Sequence, residues 1–138
     1  LYGNDIILSL YPNENPDIII LTYGGSLTLA TQAAEKIFLD EELIANVALP
    51  SSIKPINIDF IDDSLKTCGK IVIVEEGNVI GGWGAEVSSV IHEKYFNYLK
   101  YPVQRLGSKD SPIPSSGPME EEMLPSSNEL YIILNKML

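Results

Sequence analysis

The chain has 138 residues, the size of one domain with a single core. Apolar residues make up 45% and charged residues 20%, and no run approaches the roughly 20 apolar residues of a membrane-spanning helix. The net charge of −10 opposes binding to nucleic-acid phosphates or anionic lipid and favours basic partners.

Residues 5 to 11 read as a short strand stopped by Pro12, and 13 to 16 as a turn. Residues 17 to 23 read as a strand buried on both faces, broken by Gly24 and Gly25. Ser26 is the predicted cap of the next helix, whose buried face is Leu27, Ala30, Ala33, Ala34, Ile37 and Phe38. Asp40 to Glu42 fall near the end of that helix, where its dipole disfavours acid. A third strand covers 44 to 49. A loop from Pro50 to Pro55 leads to a helix over 59 to 67, with Asp59 as its candidate cap. Residues 70 to 75 form the clearest strand. A glycine-rich turn precedes a helix over 83 to 99, marked by Val87, Val90, Ile91, Tyr95 and Leu99. A fifth strand covers 101 to 106. A stiff proline-rich segment with little secondary structure runs from Pro112 to Pro125. A final amphipathic helix presents Leu130, Ile133, Leu134 and Met137. The alternation predicts a mostly parallel sheet with helices on both faces.

Little in this chain resembles catalytic chemistry. One cysteine, Cys68, excludes an internal disulfide framework and a cysteine-based zinc site, and points to a reducing compartment. The one histidine, His92, sits mid-helix without a nucleophile beside it and reads as a surface or packing residue. Tyr23-Gly24-Gly25-Ser26-Leu27-Thr28 lacks the second glycine of a nucleophile elbow. Gly81-Gly82-Trp83-Gly84 follows a strand, but Val87 stands where a dinucleotide fingerprint needs glycine, and Glu75 and Glu76 would repel phosphate. Those two glutamates point to opposite faces of a strand and make a poor acid–base pair. Trp83 can cover the sheet end, either as a packing residue, the favoured reading, or at a subunit interface. Glu120, Glu121 and Glu122 form the densest negative run, read either as a solvated helical turn or as a partner contact.

In order, the chain carries TYGGSL (22 to 27), IKPIN (53 to 57), KTCGKIVIVEEG (66 to 77), IGGWGAE (80 to 86), YPVQRLG (101 to 107) and PIPSSGPMEEEMLP (112 to 125). This series resembles the transketolase C-terminal domain superfamily, most closely the beta subunits of the thiamine-diphosphate-dependent 2-oxo acid dehydrogenases of pyruvate, branched-chain or acetoin type. The resemblance spans nearly the whole chain. The stretch from Arg105 through Glu120 is its most telling part. Asn57 and Lys100 depart from the family's usual acids at those positions.

The resemblance implies an α/β fold of three layers, α/β/α, with a five-stranded mixed sheet whose first strand is antiparallel to the rest. It implies a parent enzyme that oxidatively decarboxylates a 2-oxo acid and passes the acyl group to lipoamide. Thiamine diphosphate and magnesium would be held by upstream domains and a complementary subunit or segment, not by this domain alone. Residues 1–138 are then one domain of a larger protein, in keeping with a chain that opens on Leu1 and has its first methionine at Met119. The domain would assemble the oligomer and dock an acyltransferase subunit-binding domain. Glu120, Glu121, Glu122 and the free carboxylate of Leu138 are the docking candidates, and no catalytic, cofactor-binding or metal residue is assigned. The expected location is the cytoplasm, or the mitochondrial matrix in a eukaryote. Alternative parents are a transketolase or a deoxyxylulose-phosphate synthase type enzyme. A small-ligand regulatory module using the strand-end crevice is a third reading.

Overall fold

The computed structural model describes residues 4–109 and 116–138, with the side chains of Glu120 and Glu121 left aside. Five strands form one sheet: β1 (Ile6–Leu8), β2 (Ile18–Thr22), β3 (Ala45–Leu49), β4 (Ile71–Asn78) and β5 (Gln104–Ser108). Their order is β1-β3-β2-β4-β5. β1 pairs antiparallel with β3, and the other neighbours are parallel. The helices are α1 (Leu27–Glu41), α2 (Asp62–Cys68), α3 (Trp83–Tyr95), α4 (Gly117–Met123) and α5 (Ser127–Lys136). The mixed three-layer α/β architecture expected from the sequence is the one observed.

Alternation along β2 divides the core. Ile18 and Ile20 face α1 and α5, while Ile19 and Leu21 face α2 and α3. Each of these four is at most 1% exposed, so β2 is buried on both faces. The small residues Ala30, Ala33 and Ala34 of α1 let α5 approach, and Leu130, Leu134 and Met137 fill the contact at 0% exposure. At the start of α5, Ser126 Oγ accepts from the Glu129 amide at 3.2 Å, and Glu129 Oε2 accepts from the Ser126 amide at 2.9 Å. Together they form a capping box.

Several boundaries differ from the sequence reading. The first strand holds only three paired residues, because Tyr11 and Glu14 close a turn before Pro16. Ser26 caps nothing by its side chain: it is the last residue of a 3₁₀ turn, already αR, and its buried Oγ has no partner. Asp59 is likewise inside a 3₁₀ turn (Asp59–Ile61) and pairs with Lys94 instead of capping. α3 stops at Tyr95, and a 3₁₀ turn (Phe96–Tyr98) replaces its expected last turn. The fifth strand starts at Gln104, three residues later than expected. Residues 117–123 of the proline-rich segment are helical, where little secondary structure was expected. Pro112 and Pro114 lie outside the described residues.

α1 ends unusually. Glu42, its C-terminal cap, adopts φ 56° and ψ 27°, a left-handed conformation that glycine tolerates far better than glutamate. Its carboxylate also sits at the negative end of the helix dipole. Glu42→Gly removes both penalties at an exposed position, and is expected to stabilise the chain by about 1 kcal/mol in denaturant unfolding. A loss of stability would contradict this account of the helix end.

Candidate functional site

In an open parallel sheet, ligands favour the crevice outside the strand ends where the chain order reverses. Here that point lies between β2 and β4, since β3 is added on one side of β2 and β4 on the other. Tyr23 and the Gly24–Ser26 turn follow β2, and Gly81–Trp83 leads into α3. The Tyr23 and Trp83 rings meet edge to face with centroids 4.9 Å apart. The Trp83 indole N–H donates to the Ile53 carbonyl at 3.1 Å. Trp83, half-buried, thus packs within the domain at the sheet end.

Glu75 and Glu76 split across β4 as expected. Glu75 is 3% exposed, whereas Glu76 is exposed and lies over Gly25. Glu75 Oε1 accepts from the Gly84 amide at 3.0 Å, in the first turn of α3. It therefore occupies one of the orphan donors at that helix start. Gly82 is required beside it: a Cβ there would stand 2.1 Å from the Asn78 carbonyl oxygen and 2.5 Å from Glu75 Oε1. Burial raises the Glu75 pKa above the usual carboxylate range, an effect offset in part by the Gly84 and Trp83 amides and by Arg105. Burial, then the charges of Glu75 and Glu76, raises the Tyr23 pKa. One helix-start amide is thus taken by the Glu75 carboxylate, and the exposed Glu76 carboxylate lies over Gly25 at the same strand end, an arrangement that disfavours an anion there. Among the described residues there is no group of three His, Cys, Asp or Glu that could hold a metal ion.

His92 is exposed on α3, with its ring 5.1 Å from that of Phe96. Cys68 is buried, which raises its pKa, and its thiol lies 3.5 Å from the Lys70 carbonyl.

The docking candidates separate. Leu138, 53% exposed, lines a cavity of about 420 Å³ with Asp17, Glu41, Lys70 and Lys100, at the end where β2 begins. The α4 helix carrying Glu120–Glu122 lies at the opposite end, where the Lys109 amide following β5 donates to the Met123 carbonyl at 3.1 Å. Glu122 is exposed. The side chains of Glu120 and Glu121 lie outside what is described. Leu138 and the glutamate run therefore do not form one patch. Lys100, which departs from the family pattern, shares the Leu138 cavity. Its Nζ donates to the Thr67 carbonyl at 2.9 Å, near the C-terminal end of α2. This second role of Lys100 was invisible in sequence, because residues 67 and 100 meet only through the fold.

Sheet order, the single antiparallel edge strand and the α1/α5 and α2/α3 layers define a transketolase-like α/β domain. The family model described as transketolase, C-terminal domain, matches residues 9–130, and the chain belongs to that family. The beta subunit of the pyruvate dehydrogenase E1 component of Rickettsia bellii is 32% identical over 124 residues, covering 90% of this chain and 38% of the relative. The same subunit of Chaetosphaeridium globosum is 36% identical over 121 residues, covering 88% and 37%. The mitochondrial one of Dictyostelium discoideum is 36% identical over 107 residues, covering 78% and 30%. The chain spans about two fifths of the length of the first two of these relatives. A solved split-gene transketolase, an inactive beta4 tetramer, superposes with a TM-score of 0.77 at 28% identity, covering all of this chain and 42% of the other. A 2-oxoglutarate:ferredoxin oxidoreductase of Magnetococcus marinus shares the fold at a TM-score of 0.62 and 11% identity.

The Glu75 pKa carries a testable sign. A carboxyl whose folded pKa is raised binds its proton more tightly folded than unfolded. Its contribution to stability therefore falls as pH rises from the ordinary carboxylate range through the folded pKa. Glu75→Gln keeps an oxygen acceptor for the Gly84 amide and removes the buried charge. Unfolding followed from pH 4 to 8 is expected to show the variant gaining on the unsubstituted chain as pH rises. An advantage for the unsubstituted chain at pH 8 would show that Glu75 is held as a favourable anion.

Proposed function

We propose that the chain is the C-terminal assembly and docking domain of the beta part of a thiamine-diphosphate-dependent 2-oxo acid dehydrogenase. The parent oxidatively decarboxylates a 2-oxo acid and transfers the acyl group to lipoamide. The observation that carries this reading is the family match over residues 9–130, together with pyruvate dehydrogenase beta subunits at 32 to 36% identity over most of the chain. Residues 1–138 are on this reading one domain of a longer protein. Thiamine diphosphate and magnesium belong to its other domains and to a complementary subunit, because the strand-end crevice here is built around carboxylates. The compartment is the cytoplasm, or the mitochondrial matrix in a eukaryote.

Docking is assigned to two surfaces, the Glu120–Glu122 run and the Leu138 cavity. The net charge of −10 supports a contribution from electrostatic steering by a basic face of the acyltransferase subunit-binding domain. Opposite charges change association rates more than dissociation rates, and salt screens them. The test is stopped-flow or biolayer binding of the cognate acyltransferase subunit-binding domain to the chain at low and high salt. Replacing Glu120, Glu121 and Glu122 together by Gln is expected to slow association several-fold at low salt, with little change in dissociation. Association rates indifferent to both salt and the substitutions would remove the glutamate run from the docking surface.

A second reading changes the parent to a transketolase type enzyme. It is favoured by the likeness to the split-gene transketolase. Release of labelled CO₂ from a 2-oxo acid by the reconstituted parent separates the two readings. Decarboxylation supports the dehydrogenase, and ketol transfer between sugar phosphates without it supports the transketolase.

A further inference from the structure

A cleft of about 310 Å³ opens between the β1 edge and α2. The β1–β3 ladder ends with Leu8 opposite Val47. The chain has left the sheet where Ser9 would meet Asn46, and the Ser9 Oγ accepts instead from the Tyr11 amide at 3.1 Å. The turn that follows, closed by the Glu14 amide on the Tyr11 carbonyl at 3.1 Å, supplies one wall of the cleft. Ser64 of α2 supplies another.

Asn46 is the anomaly in this lining. Alternation places it on the face where Ile19, its partner on β2, and Ala48 serve the α2 and α3 core. It is 8% exposed, and its Oδ1 is buried without a hydrogen-bond partner. A buried amide oxygen without a donor is a standing cost to the fold, and such groups mark places that a ligand or a water completes. Rotation about the last side-chain bond, a soft torsion, turns either end of the amide toward the cleft.

The rest of the lining fixes the chemistry. Ser9 and Ser64 bring hydroxyls, Asn13 and Asn15 bring amides, and Glu14 brings one carboxylate. Among the described residues the cleft has no Lys, Arg or His and no aromatic ring. An anion would meet that carboxylate with no cation to balance it. A bare cation would suit the oxygens but leave the amide NH₂ groups without acceptors. A hydroxyl both donates and accepts, so it matches amides and hydroxyls alike, and two adjacent hydroxyls can both donate to one carboxylate. The volume stands at the lower end of the roughly 300 to 1,000 Å³ of small-molecule sites.

We propose that this cleft binds a small neutral polyol, with Asn46 as its buried anchor and Ser64 and Glu14 as further contacts. The site stands apart from the docking reading and does not depend on it.

The experiment titrates the isotope-labelled chain with glycerol, erythritol and glucose up to about 100 mM and follows the backbone amide resonances, with thermal melts as the check on folding. At least one of the three is expected to give saturable shifts confined to residues around the cleft. Asn46→Ala and Ser64→Ala are each expected to weaken that binding by about fivefold or more. Ser64 is half-buried on α2, so its substitution tests the site even where the Asn46 variant loses stability. No saturation by any of the three polyols would overturn the proposal and leave the amide to water. Saturation by methylammonium chloride in their place would assign the cleft to a cation and overturn it too. Saturable polyol binding that both variants leave unchanged would lie elsewhere on the chain, which equally contradicts the assignment.

Discussion

The hydrogen bond from the Gly84 amide to the buried Glu75 carboxylate joins β4, which lies beside the central strand β2, to the start of α3. Gly82 permits that closeness, since any side chain there would strike the strand's own carbonyl. Once α3 is anchored, its buried positions Val87, Ile91 and Tyr95 meet the α2 face of the sheet. The Tyr95 hydroxyl then donates to Asp62 at 3.0 Å, which fastens α3 to α2. The same bond occupies one of the helix-start donors that could otherwise meet an anion. The Leu138 cavity and the α4 glutamates lie at opposite ends of the domain, and Lys100 borders the cavity.

Periodicity and element order carried most of the fold. Alternation at Ile18 to Leu21 and the three- and four-residue spacing of Val87, Ile91 and Tyr95 are local signals, and both survive in the core. Ends of elements were less legible. Ser26 and Asp59 have the chemistry of helix caps, but 3₁₀ turns precede α1 and α2 and move both residues inside helical backbone. Helices on both faces followed from the alternation of elements, but the antiparallel placement of β1 came through resemblance, because a pairing of Ile7 with Ala48 has no local signature. For the candidate site, the opposed faces of Glu75 and Glu76 were readable from the strand period. The grip of Glu75 on Gly84 and the role of Lys100 were not, since each depends on residues brought together across a loop or a crossover.

The docking reading proposed above requires that the strand-end crevice, where Glu75 holds the Gly84 amide, take no diphosphate. The most direct measurement is calorimetric titration of the purified chain with thiamine diphosphate and magnesium. No saturable binding up to about 1 mM ligand is predicted, since the helix-start amide is occupied and two carboxylates stand at the strand end. Saturable binding in the micromolar range, abolished by a substitution at Glu75 or Gly82 that leaves the chain folded, would contradict the account.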